Sequence, residues 1–542
     1  MAERQGPKVY SIAAHRGFAD ALVAGLVPRY ANDEFGLARL TLLVPSSRAR
    51  RTISEAFIRH AGEQGTPGLL MPRMAVVGDL DLDETIGPLL DPLGAADIPR
   101  AIEPQRRLFA LARLIADTMG DEAPGGATLL RLARETGATM DRLLVEGVGP
   151  EELVGESVLD LFGSLSDHWQ RSLHLFATVQ AKWLEQLQQW DALDAAARRN
   201  RLFDWAAARW RAAPPETPIV AAGVTSAAPS LARLLRVVAE CDQGAVILPD
   251  FDLTMPQAVW DELGRAGATP EPGATPFARE DAVTHPQYHL KLLLNRMGIA
   301  REEVQPWHRR GIAAAQPERS HALGSLFLPP EASKGWVDLP AEKRRLADVR
   351  IMTCANPEEE AQAVALLVRE AVEQPEKRVA VVTPDRAIAR RVVHHLDRWN
   401  ITADDSGGRP LSQTAAGRLF LLLAEIVAED AAPVSLMGLL GHPLVDGGME
   451  RGVWLRQLRR VERALRGPRK AGGLAPLAAI AARLAQRHGR VADWYAAVDH
   501  ALSPLVALHR QDAIPMHALL DALVESGEAL CGEKLWARED GR

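Results

Sequence analysis

The sequence predicts an α/β protein whose parallel sheets are covered by helices, and three observations predict it. Short apolar runs at Leu40–Val44, Ile219–Ala222, Ala245–Leu248 and Val379–Val382 stop at polar, Gly-containing or Pro-containing turns, as buried parallel strands do. Stretches with apolar residues at helical spacing follow them, and alternating strand and helix places parallel strands in one sheet. From Ile102 to about Trp210 the pattern is instead helical, with few β-branched runs, which predicts an inserted helical domain.

Composition narrows the class. At 542 residues the chain holds several domains and can bury large cores. Its hydrophobic content of 47% and charged content of 25% are those of a globular protein. There is no apolar run long enough to span a bilayer and no charged-then-apolar leader, so a cytoplasmic protein without a membrane partner is expected. The 3 cysteines, Cys241, Cys354 and Cys531, lie far apart without metal-ligand spacing. They fit a reducing compartment, and neither disulfides nor a metal site is expected. A net charge of −7 argues against a protein that coats nucleic acid non-specifically, leaving DNA contact to local basic tracks.

In chain order, Val9–Ala14 reads as a strand, His15–Phe18 as a turn and Ala19–Val27 as a helix. A phosphate-binding loop at such a turn needs several glycines, a Lys for the phosphates and a Ser or Thr for magnesium. Here Gly17 is followed by Phe18 and Ala19, so an ordinary strand–turn–helix is expected. Leu40–Val44 ends in Pro45, Ser46 and Ser47, then Arg48, Arg50 and Arg51. Small hydroxyls at a helix start, with arginines after them, suit phosphate contacts; a helix cap at Ser47 with a solvated basic turn is the other reading. Pro72–Gly78 is a third strand.

In the helical insert, Arg106, Arg107 and Arg113 alternate with Leu108, Phe109, Leu111 and Leu114 as on an amphipathic helix. Trp183, Trp190, Trp205 and Trp210 fall at helical spacing with Leu and Ala, so they are expected in the core and not stacked on bases. Ile219–Ala222 ends at Gly223, a turn and helix follow over Thr225–Val238, and Ala245–Leu248 leads into Pro249–Leu253. Asp250 and Asp252 are expected to cap that loop, since no phosphate-binding partner accompanies them. Gly264–Thr275 reads as a surface loop. His285 and His289 flank Pro286, which disfavours helix between them, so the helix is expected over Leu290–Met297 and a zinc site is not. Arg310–Leu346 reads as linker and helix.

Val349–Cys354 is a short β-rich run. Asn356, Pro357 and Glu358–Glu360 then supply a cap, a first-turn Pro and acidic residues at the positive end of a helix. Ala361, Val364, Leu367 and Val368 give that helix one apolar face. Val379–Val382 stops at Thr383-Pro384-Asp385, and a second amphipathic helix runs to Trp399. After Pro443 the chain turns helical and basic. Arg456, Arg459, Arg460 and Arg463 fall at i, i+3, i+4 and i+7, with Arg466, Arg469 and Lys470 behind them. Guanidinium groups in one stripe suit phosphates, and a plain solvated face is the other reading.

The phrases VVTPDRAIARRV, DDSGGRPL and LLGHPLV, with the glutamate-rich helix start before them, resemble the second motor domain of UvrD-like superfamily 1 helicases. They are most similar to the AddB family, the partner subunits of AddA in bacterial double-strand break repair, alphaproteobacterial branch. The resemblance runs from about Tyr10 to the end of the chain. It implies two RecA-like domains: residues 1–340 with a helical insert at about 90–212, then 341–446, then the truncated start of a helical accessory domain at 447–542. Against the helicase pattern, the phosphate-binding Lys is Phe18, the magnesium hydroxyl is Ala19, and an Asp-Glu pair is replaced by Ala222-Gly223. Pro249–Leu253 stands where a γ-phosphate-sensing Gln belongs. The degenerate ATP site is thus Gly17, Phe18, Ala19, Ala222 and Gly223, with no catalytic residue in this segment.

The family implies a scaffold that guides single-stranded DNA unwound by an AddA-type helicase–nuclease subunit, contacts double-stranded DNA, and scans for a recombination hotspot. The DNA-binding residues it points to are Ser46, Ser47 and Arg48; Thr383 and Arg386; and Ser406, Gly407 and Arg409; the arginine stripe adjoins the expected channel. Full-length relatives end in a nuclease domain with an iron–sulfur cluster and Mg; neither cofactor is expected in this segment. Two other classes stay open: an ATP-dependent DNA helicase with a degenerate P-loop, and an α/β protein binding a nucleotide or metabolite at Ala14–Gly17.

Overall fold

Parallel strands that alternate apolar side chains between two covered faces build the first half of the chain. The computed structural model describes residues 6–14, 16–31, 35–65, 69–78, 86–90, 97–149, 167–269, 275–307, 322, 325–326, 328–344, 349–375, 377–468, 470–511 and 513–537. Its contacts divide the chain into two units, Met1–Met352 and Thr353–Arg542. His15, Arg469 and part of the expected linker, including residues 310–321, lie outside the described residues.

In the first unit, β1 (Val9–Ile12), β2 (Thr41–Val44), β3 (Arg73–Val76), β6 (Ile219–Ala222), β7 (Gly244–Pro249) and β8 (Val304–Pro306) form a 6-stranded sheet. Its order is β3-β2-β6-β7-β1-β8, every pairing parallel. This is compatible with a Rossmann- or RecA-like core. Leu42, Val44, Val220, Ala222 and Ile247 face the helices Phe18–Tyr30 and Ser47–Glu63. Leu43, Ile219, Ala221, Val246 and Leu248 face the helices Ala195–Ala212, Pro229–Glu240 and Pro286–Met297. The period-2 alternation of a strand thus fills two cores at once.

Close packing fixes the elements. The Trp307 indole lies on Gly25 so tightly that a Cβ there would collide with it, and its Nε1 donates to Ala21 O at 3.0 Å. The Pro286–Met297 helix begins four residues earlier than the sequence predicts. Pro286 sits in its first turn, where a missing N–H costs nothing, and His285 caps it by accepting from Gln287 N at 3.0 Å.

The insert is helical as expected, with helices Pro104–Met119, Gly126–Glu146 and Asp167–Gln189. One short parallel pair, β4 (Arg100–Ala101) with β5 (Ala192–Leu193), closes it. Trp183 is fully buried and donates through Nε1 to both oxygens of Asp194, at 3.2 and 3.0 Å. Arg107 lies 2.8 Å from Asp194 and 2.8 Å from Asp141. Burial raises the Asp194 carboxyl above its ordinary value, and Arg107 opposes that. Trp210 is buried as well, Trp190 packs half-buried against the insert's core, and Trp205 is half-buried.

In the second unit, Asn356 caps helix Pro357–Val372 by accepting from Glu358 N and Glu359 N at 3.0 and 2.9 Å. Ala361, Ala365 and Val368 pack that helix on Val392 and Leu396 of helix Arg386–Asp397. The β-rich runs before these helices depart from expectation. Val349–Cys354 and Val379–Val382 join no ladder among the described residues, and Ile351 and Val382 are 95% and 93% exposed. A strand is stable through its neighbours, and here none lies alongside. Helices Ala415–Ala428 and Pro433–Gly441 share one apolar core with Arg451–Leu465, Ala475–Ala485, Arg490–His509 and Met516–Cys531. That core runs through residue 446. No helix among the described residues is long and apolar enough to cross a membrane.

Candidate nucleic-acid interface

In open parallel sheets, ligands gather beyond the carboxyl ends of the strands. Part of that rim is taken by Phe18. Gly17 precedes helix Phe18–Tyr30 without a side-chain cap. Gly223, with φ of +75°, lets the chain turn after β6, and a Cβ there would stand 3.2 Å from the Phe18 ring and 3.8 Å from Pro45. Phe18 therefore lies over Gly223 and beside Pro45. Ala19 and Ala222 are buried and carry no polar atom toward this space. The Phe18 ring thus packs on the Gly223 turn, while Gly17 ahead of the helix is exposed.

Sequence reasoning missed a carboxylate at this helix start. Asp20 stands in the first helical turn, with Oδ2 3.3 Å from where a Cβ of Gly17 would sit. Its Oδ1 pairs with Arg59 of helix Ser47–Glu63 at 2.5 Å. A carboxylate takes the favourable charge of this helix start, and a phosphate would have to displace it.

At the end of β2, Ser46 Oγ accepts from Ala49 N at 3.2 Å, so Ser46 is the helix cap and Ser47 is the first, exposed, helical residue. This moves the cap from Ser47. Arg48 is exposed, whereas Arg51 pairs with Glu55 at 3.2 Å. At the end of β7, Asp252 Oδ1 accepts from Thr254 N and Oγ1 at 2.8 and 2.7 Å. Gln287 bridges Asp250 O and Asp252 N at 2.7 and 3.0 Å. Burial raises the Asp250 carboxyl. These are loop-holding roles, and among the described residues no group of His, Cys, Asp or Glu is placed to hold a metal ion. Cys241 and Cys531 are buried and Cys354 is half-buried.

The second unit brings its predicted residues together around a salt link. Thr383 Oγ1 accepts from Asp385 N at 3.1 Å, and Asp385 accepts from Ala387 N at 2.6 Å to cap helix Arg386–Asp397. Arg386 reaches across to Asp405 with two bonds, 2.8 and 2.6 Å, and to Gly408 O at 3.1 Å. Its guanidinium lies so close to Gly407 that a Cβ there would collide with it. Arg386 thus holds this loop through its bonds to Asp405 and Gly408. The loop it holds presents Ser406, Gly407 and Arg409 to solvent.

Helix Arg451–Leu465 buries Trp454, Leu458 and Val461, which turns Arg456, Arg459 and Arg463 outward. Arg460 is half-buried and donates to the buried Gln457 at 2.7 Å. Glu462 pairs with Arg466 at 2.7 Å, and that bond, with Arg463 and Arg459 adding, holds its carboxyl below the ordinary range. The one acid in the stripe is therefore already neutralised. No family model matches the chain, and no curated protein matches it.

Proposed function

We propose that this chain is a non-motor, helicase-like subunit that guides single-stranded DNA within a helicase–nuclease complex for double-strand break repair and recombination. The observation that carries the reading is the packing of Phe18 over Gly223, with Asp20 paired to Arg59 at the helix start. A motor needs that space for the β- and γ-phosphates. ATP hydrolysis would come from an AddA-type partner, and this chain would supply backbone contacts.

Support for DNA as ligand comes from the second unit. Arg456, Arg459 and Arg463 form an outward stripe whose nearby acid is paired, and Arg409 stands on a loop pinned by Arg386. Guanidinium groups so arranged bind phosphates without reading bases. Hotspot recognition and double-stranded DNA contacts belong to the same proposal, as does a nuclease with its iron–sulfur cluster and Mg in further polypeptide. The test is a pair of titrations on the purified chain. The proposal requires saturable binding of a single-stranded oligonucleotide and no saturable binding of Mg-ATP. Nucleotide binding stimulated by DNA would favour the degenerate-motor reading, and nucleotide binding without DNA affinity a metabolite-binding one.

A further inference from the structure

Donors from two segments converge on the Asp405 carboxylate. Arg386 Nη1 and Nη2, at the start of helix Arg386–Asp397, donate to its two oxygens at 2.8 and 2.6 Å. Gly407 N donates to Oδ1 at 2.9 Å from the turn that follows. A guanidinium fork beside a main-chain N–H fits a phosphate as well as a carboxylate, since both present paired anionic oxygens. The turn admits the fork because Gly407 has no side chain; a Cβ there would collide with the guanidinium.

The link is also easily opened. The side chains of Arg386 and Asp405 are 47% and 25% exposed, and water weakens an ion pair placed so. Charge around it is balanced. On the two segments, Asp385, Asp404 and Asp405 are matched by Arg386, Arg390 and Arg409. Asp385 already serves as the helix cap, accepting from Ala387 N at 2.6 Å. Neutralising Asp405 would leave the site with a net positive charge. Ser406, Gly407 and Arg409 stand exposed on the same loop, on the path of a bound backbone.

We propose that Arg386 and Gly407 N–H form a phosphate cradle for single-stranded DNA, and that Asp405 occupies it as an internal competitor. The inference rests on the DNA-guiding reading. A phosphate that enters frees Asp405, which takes up a counterion as the phosphate releases one. The exchange therefore adds little net counterion release, and the contact positions a strand without holding it tightly.

The experiment is fluorescence anisotropy of a labelled oligothymidine over a salt series. It compares the full chain as wild type, Asp405→Asn, Arg386→Ala and the double variant. Asparagine keeps an acceptor for Gly407 N, so the turn persists. At about 0.1 M salt, Asp405→Asn should bind about fivefold tighter, with a slope of log K against log salt steeper by about 0.7. In the Arg386→Ala background the same substitution should give less than about half of that gain on a logarithmic scale. Equal gains in the two backgrounds would mean that Asp405 merely repels DNA, and would overturn the inference. So would an Asp405→Asn chain that binds no tighter than wild type. Absence of binding by all four proteins would overturn the DNA-guiding reading, and the cradle with it.

Discussion

Arg386 and Asp405 are joined by two bonds, 2.8 and 2.6 Å long, that tie the start of one helix to a loop nineteen residues further along. The pair is surface-exposed, so its worth lies in geometry more than in stability. Arg386→Ala should speed amide exchange at Gly407 and Gly408 while leaving the thermal midpoint within about 2 °C of wild type. A larger thermal loss with unchanged loop exchange would mean that the pair holds the helix and not the loop.

Arg409 is exposed on that loop and is the residue placed to use it. Arg409→Ala should weaken single-stranded DNA binding and reduce the slope of log K against log salt by about 0.7, one phosphate contact. Arg386→Ala should leave that slope unchanged, because its charge is already matched. Unchanged affinity and slope in Arg409→Ala would remove Arg409 from the interface.

Asp20 stands at the same helix start, paired with Arg59, so reversing the sequence changes at Phe18 and Ala19 alone should fail. The double variant Phe18→Lys with Ala19→Ser restores the lysine and hydroxyl of a phosphate loop but keeps Asp20 and a single glycine. Calorimetry should detect no saturable Mg-ATP binding. Saturable binding would show that Phe18 and Ala19 were the sole obstacle.

In the insert, Asp194 accepts from Trp183 and faces Arg107. Asp194→Ala would leave a buried indole N–H and part of a buried guanidinium without a partner. It should destabilise the chain by about 3–5 kcal/mol, read from urea unfolding. A loss below about 1 kcal/mol would mean that Asp141 and water take over.

The parts legible in the sequence share one property: their cause is local. Runs such as Leu40–Val44 and Ile219–Ala222 are apolar and punctuated, and they are strands. The replacement of lysine by Phe18 is visible from spacing alone, as is the outward stripe from the heptad-like placing of Arg456, Arg459 and Arg463. What escaped depends on residues distant in sequence. Asp20 is paired with Arg59, and Arg386 with Asp405; neither partner lies within helical reach. Val379–Val382 shows the opposite failure. Its residues have strand character, but strand character becomes a sheet only beside another strand.

Binding of a labelled single-stranded oligonucleotide across a salt series, by wild type and by the Arg456→Ala, Arg459→Ala, Arg463→Ala triple variant, tests the central claim most directly. The account predicts saturable binding by wild type without nucleotide, and a salt slope smaller by about 2 in the triple variant, three contacts at about 0.7 each. Equal affinity and equal slope in the two proteins would contradict it.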